Sequence, residues 1–221
     1  MLYRMLSCAL LALLAATLFV RAATIKMPAN SDIAKRDLPK WDWTKDKVYG
    51  TNLGGLFLLE RWMYEDWMVE KGGDDAWDEY TMSKNVGDGM YDILNEHFDS
   101  WFTEDDMDTL ADAGVNMLRI PIGYWPFVSA DEAGEPYKTA SHLDKLSQIM
   151  KWSQDRHMYV LLDLHGMPGS QNNDQSSGHN RTNLGNTIEW YSSKNQKYSR
   201  QTVKNLLSWL DSHPAKSVVA G

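Results

Sequence analysis

Asn116-Met117-Leu118-Arg119-Ile120-Pro121-Ile122-Gly123-Tyr124-Trp125 and Asp163-Leu164-His165-Gly166-Met167-Pro168-Gly169-Ser170-Gln171-Asn172 are the most telling stretches of this chain. Each is a short apolar run that stops abruptly at polar, glycine- and aromatic-rich residues, as a buried strand does where it meets a loop. A strand that delivers an Arg or a His to its C-terminal edge is how a (β/α)8 barrel assembles a site, because functional groups there project from the ends of parallel strands. Working outward, residues 48–53 read as a first strand, closed by Gly54-Gly55, a pair that lets the backbone turn tightly. Residues 77–102 are expected to be mostly helical, with Met90, Ile93, Leu94 and Phe98 near the helical period. Thr103 ahead of Glu104-Asp105-Asp106 resembles a capping-box start, with Met107, Leu110 and Ala111 as the apolar face and Gly114 suited to the C-terminal cap. The second strand is expected at residues 115–121 and the third at 159–164, separated by a helix carrying Leu143, Leu146, Ile149 and Met150. A last helix over about residues 187–212 carries Val203, Leu206, Leu207 and Leu210, and Ser217-Val218-Val219-Ala220-Gly221 begins another apolar strand.

Strands alternating with helices point to an α/β fold of βαβ units with parallel strands. That pattern alone does not separate a barrel from a doubly wound sheet. No Gly-x-Gly-x-x-Gly follows the first strand, which argues against a dinucleotide fold and its cofactor.

Residues 1–22 read as a secretory signal peptide. Arg4 supplies the positive start, Leu10 to Val20 are nearly all apolar, and Val20-Arg21-Ala22 fits the small-residue cleavage rule. The other reading, a membrane anchor, fits less well because the apolar run is short for a bilayer. Export and an extracellular location follow, with no membrane association once the signal is removed. Residues 23–47 are polar, contain Pro28 and Pro39, and read as a pro-segment or linker; Lys35-Arg36 is either a processing site or a solvated basic pair. The single cysteine, Cys8, lies within the signal, so the mature chain has neither a cysteine nucleophile nor a thiolate metal site. A net charge of −8 disfavours nucleic acid as a partner. Ten Trp and ten Tyr are many for 221 residues; some belong to a core, but exposed rings are also what stacks on sugar faces. Asn180-Arg181-Thr182 is the one glycosylation sequon.

Alternation along a strand puts Val115, Met117 and Arg119 on one face, and Leu161, Asp163 and His165 on one face of the next. In a barrel that face is the interior, with Arg119 and His165 at the catalytic rim. Arg119 then reads as a fixed cation that keeps a catalytic carboxylate ionised. Equally, it reads as half of a structural salt bridge, with Asp163 as the partner. His165 alone says little, since a single His is more often a satisfied core or surface residue. No second His stands at metal-ligand spacing, so no zinc site is expected. Ser170-Gln171-Asn172 lies in a loop that either lines a pocket or is plain surface. Glu60 falls just past the first strand, where a carboxylate can accept hydroxyl protons from a terminal sugar. Tyr124 and Trp125 read either as cleft walls or as apolar packing.

Together with Gly50-Thr51-Asn52-Leu53-Gly54-Gly55-Leu56-Phe57-Leu58-Leu59-Glu60, these segments resemble the fungal and oomycete exo-1,3-β-glucanases of glycoside hydrolase family 5, from about Tyr49 onward. The resemblance implies a (β/α)8 TIM barrel of which residues 48–221 are the N-terminal half, three to four βα units. It implies that Arg119 supports a nucleophilic glutamate, that His165 donates to a sugar hydroxyl in the −1 subsite, and that Glu60 binds sugar. It also implies that Tyr124 and Trp125 shape the cleft and that the loop through Asn172 lines it. Leu56 stands where the family usually has Trp, and Arg61 where it usually has Pro, so the pocket wall is expected to differ at both.

Retaining glycosidases need two carboxylates about 5 Å apart, one acid/base and one nucleophile. In this family they are a glutamate in an Asn-Glu-Pro after the fourth strand and another after the seventh. The chain contains no Asn-Glu-Pro; Asn95-Glu96-His97 lies in an expected helix far upstream. The leading expectation is therefore the N-terminal part of a secreted glucan 1,3-β-glucosidase, with β-glucan as partner, no cofactor, and no hydrolysis by the chain as written. A secreted non-catalytic glucan-binding protein or decoy is the alternative, and a fragment that never folds is a third reading.

Overall fold

The structure, a computed structural model, describes residues 37–182 and 187–221. The signal segment and Lys35-Arg36 lie outside the described residues. No helix among the described residues is long and apolar enough to cross a membrane.

Three parallel strands lie side by side in chain order: β1 (Gly50–Asn52), β2 (Met117–Gly123) and β3 (Tyr159–Gly166). Asn52 pairs with Arg119 and Arg119 with Leu161, which fixes one level across the sheet. After β1 the chain leaves the ladder at Gly54-Gly55 and rejoins it at Phe57, which bridges Ile122. Gly55 makes this detour at φ 70°, and a Cβ there would stand 2.8 Å from the Tyr64 ring, so only glycine fits. Beyond β3, Ala220 donates to the Val160 carbonyl and Leu162 to the Gly221 carbonyl, both at 2.9 Å, so the last residues begin a further parallel pairing on the β3 edge.

Between β1 and β2 run helices α1 (Glu65–Gly72), α2 (Glu79–Val86), α3 (Met90–Trp101) and α4 (Glu104–Asp112). Between β2 and β3 lie the short α5 (Ala130–Ala133) and α6 (His142–Asp155), and α7 (Ser193–Ser212) follows β3. Alternation along the strands sends Leu118, Ile120, Ile122 and Val160 to the helical side, where they are buried with Leu94, Phe98, Met107, Leu146 and Ile149. The opposite face carries Met117, Arg119, Leu161, Asp163 and His165. Val48, Thr51, Asn52, Arg119 and Leu161 border an open cavity of about 380 Å³ there.

Several expected boundaries move. The helix read over residues 77–102 is two helices, because Gly87 takes φ 63° and a 3-10 turn at Gly87–Gly89 resets the axis. Trp77 is outside both, and α2 begins instead at an Asp78–Thr81 capping box. The expected capping box of α4 is present, Thr103 and Asp106 exchanging hydrogen bonds. β2 and β3 each run two residues further than expected, so Arg119 is a mid-strand residue rather than the last of its row. α7 starts at Ser193, capped by the Ser192 hydroxyl.

Candidate functional site

Four polar side chains from three adjacent strands converge on the inner face. Arg119 donates through one terminal nitrogen to Asp163 Oδ2 and through the other to Asn52 Oδ1 at 3.3 Å. His165 Nδ1 lies 2.9 Å from the same Asp163 oxygen and 3.2 Å from the Arg119 nitrogen. Nδ1 cannot both donate to the carboxylate and accept from the guanidinium. A proton on Nδ1 satisfies the carboxylate and needs nothing of the arginine, so this tautomer is the favoured one. With Nδ1 turned to Asp163, Nε2 is the ring atom left for a ligand. The salt bridge to Asp163 is formed. These side chains are about one-third exposed, 34% for Arg119, 28% for Asp163 and 32% for His165, so the cluster is open to a ligand.

A register shift sets His165 apart from β2. Ile122 pairs with Leu164 but Gly123 pairs with Gly166, so His165 is the unpaired extra residue of a bulge. Gln171 secures the segment from the other side, its Nε2 donating to the His165 carbonyl and its Oε1 accepting from the Met167 amide. Asn172 is exposed, and its side-chain carbonyl accepts the Asp174 amide at 2.9 Å.

Glu60 stands three residues past the Phe57 bridge, on the same C-terminal rim as His165. Its Oε2 accepts the Trp62 indole N–H at 2.9 Å, which leaves Oε1 open. The backbone behind it is clasped by the start of α2. The Leu59 amide donates to Glu79 at 2.8 Å, while Asp78 accepts the Asn180 amide and the Tyr80 amide donates to the Gly178 carbonyl at 2.9 Å. One helix terminus thereby fastens the loop after β1 to the loop after β3. Burial pushes the Glu79 carboxyl up to about 8 despite the Leu59 hydrogen bond, and raises Asp78 as well. The Asn180 sequon belongs to this clasp, with the Asn180 side chain accepting the Thr182 amide at 3.1 Å.

Tyr124 and Trp125 are buried, at 0% and 2% exposure, so neither ring presents a face to a sugar. Their work is packing. Trp125 stacks on Tyr137 with centroids 4.0 Å apart and donates to His142, whose ring burial drives down to about 3. Tyr124 donates to Glu135 at 2.5 Å, and Glu135 accepts the Gly169 amide, tying the loops after β2 and β3 together. Leu56 is likewise a core residue, at 0% exposure, and forms no pocket wall. Arg61 does border the rim: it reaches Glu65, the Asp74 and Ala76 carbonyls, and the face of Trp77.

Sequence reasoning missed Asn52, Gln171 as a holder of His165, Glu79 and Trp62. Asn52 was legible, since it shares the inward parity of Gly50 in the first strand. Glu79 left no signal, because an acidic residue at a helix start is ordinary.

A family model described as cellulase, glycosyl hydrolase family 5, matches residues 77–207. A probable glucan 1,3-beta-glucosidase A of Emericella nidulans is 41% identical over 134 residues, covering 60% of this chain and 32% of that one. The glucan 1,3-beta-glucosidase of Blumeria graminis is 36% identical over 174 residues, covering 73% and 39%, and glucan 1,3-beta-glucosidase 1 of Schizosaccharomyces pombe is 39% identical over 163, covering 72% and 39%. The chain thus spans 32% to 39% of the length of these relatives. The crystal structure of rutinosidase from Aspergillus niger superposes with a TM-score of 0.74 at 21% identity, over 82% of this chain and 49% of that one, which shows the fold to be part of a TIM barrel. The match to the family model, over more than half of the sequence, establishes that the chain belongs to glycosyl hydrolase family 5.

Proposed function

We propose that these residues form the sugar-holding part of a retaining, glucan 1,3-β-glucosidase-type site, with a terminal glucosyl unit of β-glucan as ligand. The convergence of Arg119, Asp163 and His165 on the open inner face, with Glu60 on the same rim, carries this reading. Glu60 Oε1 accepts hydrogen bonds from hydroxyls, His165 Nε2 pairs with another, and Arg119 offers its remaining N–H donors. These are the mixed donors and acceptors that orient a polyol in a cleft. Double displacement requires a second carboxylate beside the first, and Asp163 is occupied by Arg119 and His165. The 221 residues on their own therefore bind glucan without hydrolysing it.

Calorimetry with laminaribiose and a laminarin reducing-sugar assay test both halves. The expected result is binding that is weakened about tenfold or more in Glu60→Gln and His165→Ala, the loss of one to two charge-assisted hydrogen bonds, with no sugar release above a vector control. Sugar release that disappears in Glu60→Gln would place catalysis where the proposal has only binding. We further propose export from the cell. A secreted product whose N-terminus begins after Ala22 supports it, and retention of residues 1–22 in an intracellular product refutes it.

A further inference from the structure

We propose that Trp62, which follows Arg61 in the chain, and Trp77, against the Arg61 guanidinium, form a second glucan-contacting surface outside the Glu60 pocket, an aromatic step on which a further glucosyl unit of the same chain stacks. The inference rests on the reading of Glu60 as a sugar-binding residue. Both indoles are open to solvent, Trp62 at 69% and Trp77 at 46%. Among the described residues, neither packs against another aromatic ring. Large exposed apolar groups of this kind mark interaction surfaces when they are held in place.

They are held in place here by polar anchors. The Trp62 indole donates to Glu60 at 2.9 Å and its amide to Gln175 at 3.2 Å, which joins this ring to both rim loops. The Arg61 fork donates to Glu65 at 2.8 Å and to the Asp74 carbonyl at 3.0 Å, and its guanidinium lies 4.2 Å from the centre of the Trp77 ring. Arg61 covers one face of Trp77, so the exposed part is the opposite face and edge. A rigid, prepositioned ring loses little entropy on binding.

The chemistry fits a pyranose. Its axial C–H faces are apolar and suit an indole, while its equatorial hydroxyls point outward to Glu65, Gln175 and the guanidinium edge. The location fits as well. Trp43 and Tyr49 are also exposed, yet they lie at the N-terminal ends of the strands, Trp43 donating to the Ala220 carbonyl and Tyr49 preceding β1. Trp62 and Trp77 stand on the rim that carries Glu60. A protein partner is less well served, because the charged Arg61 guanidinium lies against the Trp77 ring.

Calorimetry with laminaribiose and laminarihexaose, on wild type, Trp77→Ala, Arg61→Lys and Glu60→Gln, tests the proposal. Trp77 is a surface residue, and a thermal melt checks that its variant folds. Wild type is expected to bind the hexaose more tightly than the biose. Trp77→Ala is expected to weaken the hexaose about three- to tenfold, in line with one aromatic stacking contact, and to leave the biose unchanged. Arg61→Lys, which keeps the charge but loses the planar fork, is expected to lose part of the same increment. Hexaose binding unaltered in Trp77→Ala, with both sugars lost in Glu60→Gln, would overturn the step and leave the pocket standing. Hexaose binding that survives Glu60→Gln but fails in Trp77→Ala would keep the step and overturn the pocket. A wild-type chain that binds neither sugar, whether or not it self-associates through Trp77, would overturn both.

Discussion

The Arg119 guanidinium divides its donors among Asp163, Asn52 and the neighbourhood of the His165 ring, with about a third of its side chain, 34%, left exposed. An ion pair this open is screened by solvent and stabilises the fold by about 1 kcal/mol or less. Arg119→Ala is therefore expected to lower the melting temperature by only a few degrees, while sugar binding drops about tenfold because Asp163 and His165 lose their alignment. A near-UV spectrum that collapses in the variant would assign Arg119 to the frame instead. Glu79 behaves oppositely. Its folded pKa of about 8 lies above the ordinary 4.5, so the fold holds the proton more tightly than the unfolded chain does. The stability this contributes is full below pH 4.5 and is lost as pH rises towards 8. Urea titrations across that window should show a decline of a few kcal/mol at most, absent from Glu79→Gln; parallel pH profiles for the two proteins would refute the assignment.

At the level of the elements, the end of β2 is shaped by what it must pack against. Gly123 leaves room for the Trp125 ring, whose atoms stand as near as 2.1 Å to where a Cβ would be. Trp125 is locked between Tyr137 and His142 and cannot retreat. Gly123→Ala is accordingly expected to cost about 3 kcal/mol through overpacking, read as a lower urea midpoint with an unchanged slope. A midpoint within experimental error of wild type would show that the ring is freer than its contacts indicate. The same strand end carries the register shift that leaves His165 unpaired, so damage to the packing of Trp125 reaches the polar cluster through one backbone turn.

Across the whole molecule, apolar residues remain uncovered away from the rim. Leu207 is 59% exposed and Val203 42%, and Leu207, Leu210 and Val219 border a surface groove of about 560 Å³ between α7 and the last residues. Such a groove favours self-association. Sedimentation of the chain is expected to show concentration-dependent oligomers, reduced in Leu207→Lys; a monomer at every concentration would sink the idea.

The order of strands and helices, the inward parity of Arg119 and His165, and the capping box at Thr103 are local properties, set by alternation, by the helical period and by side chains that satisfy nearby amides. These the sequence determined by itself. What only the tertiary structure decided is where each chemistry-bearing group finally points. Arg119 lies below the rim because β2 runs on to Gly123, and a bulge leaves His165 without a partner on β2. Tyr124 and Trp125 turn inward because Glu135, Tyr137 and His142 take their polar atoms and faces. Each outcome depends on partners distant in the chain, and a linear pattern carries parity and propensity but not the identity of the neighbour that completes a contact.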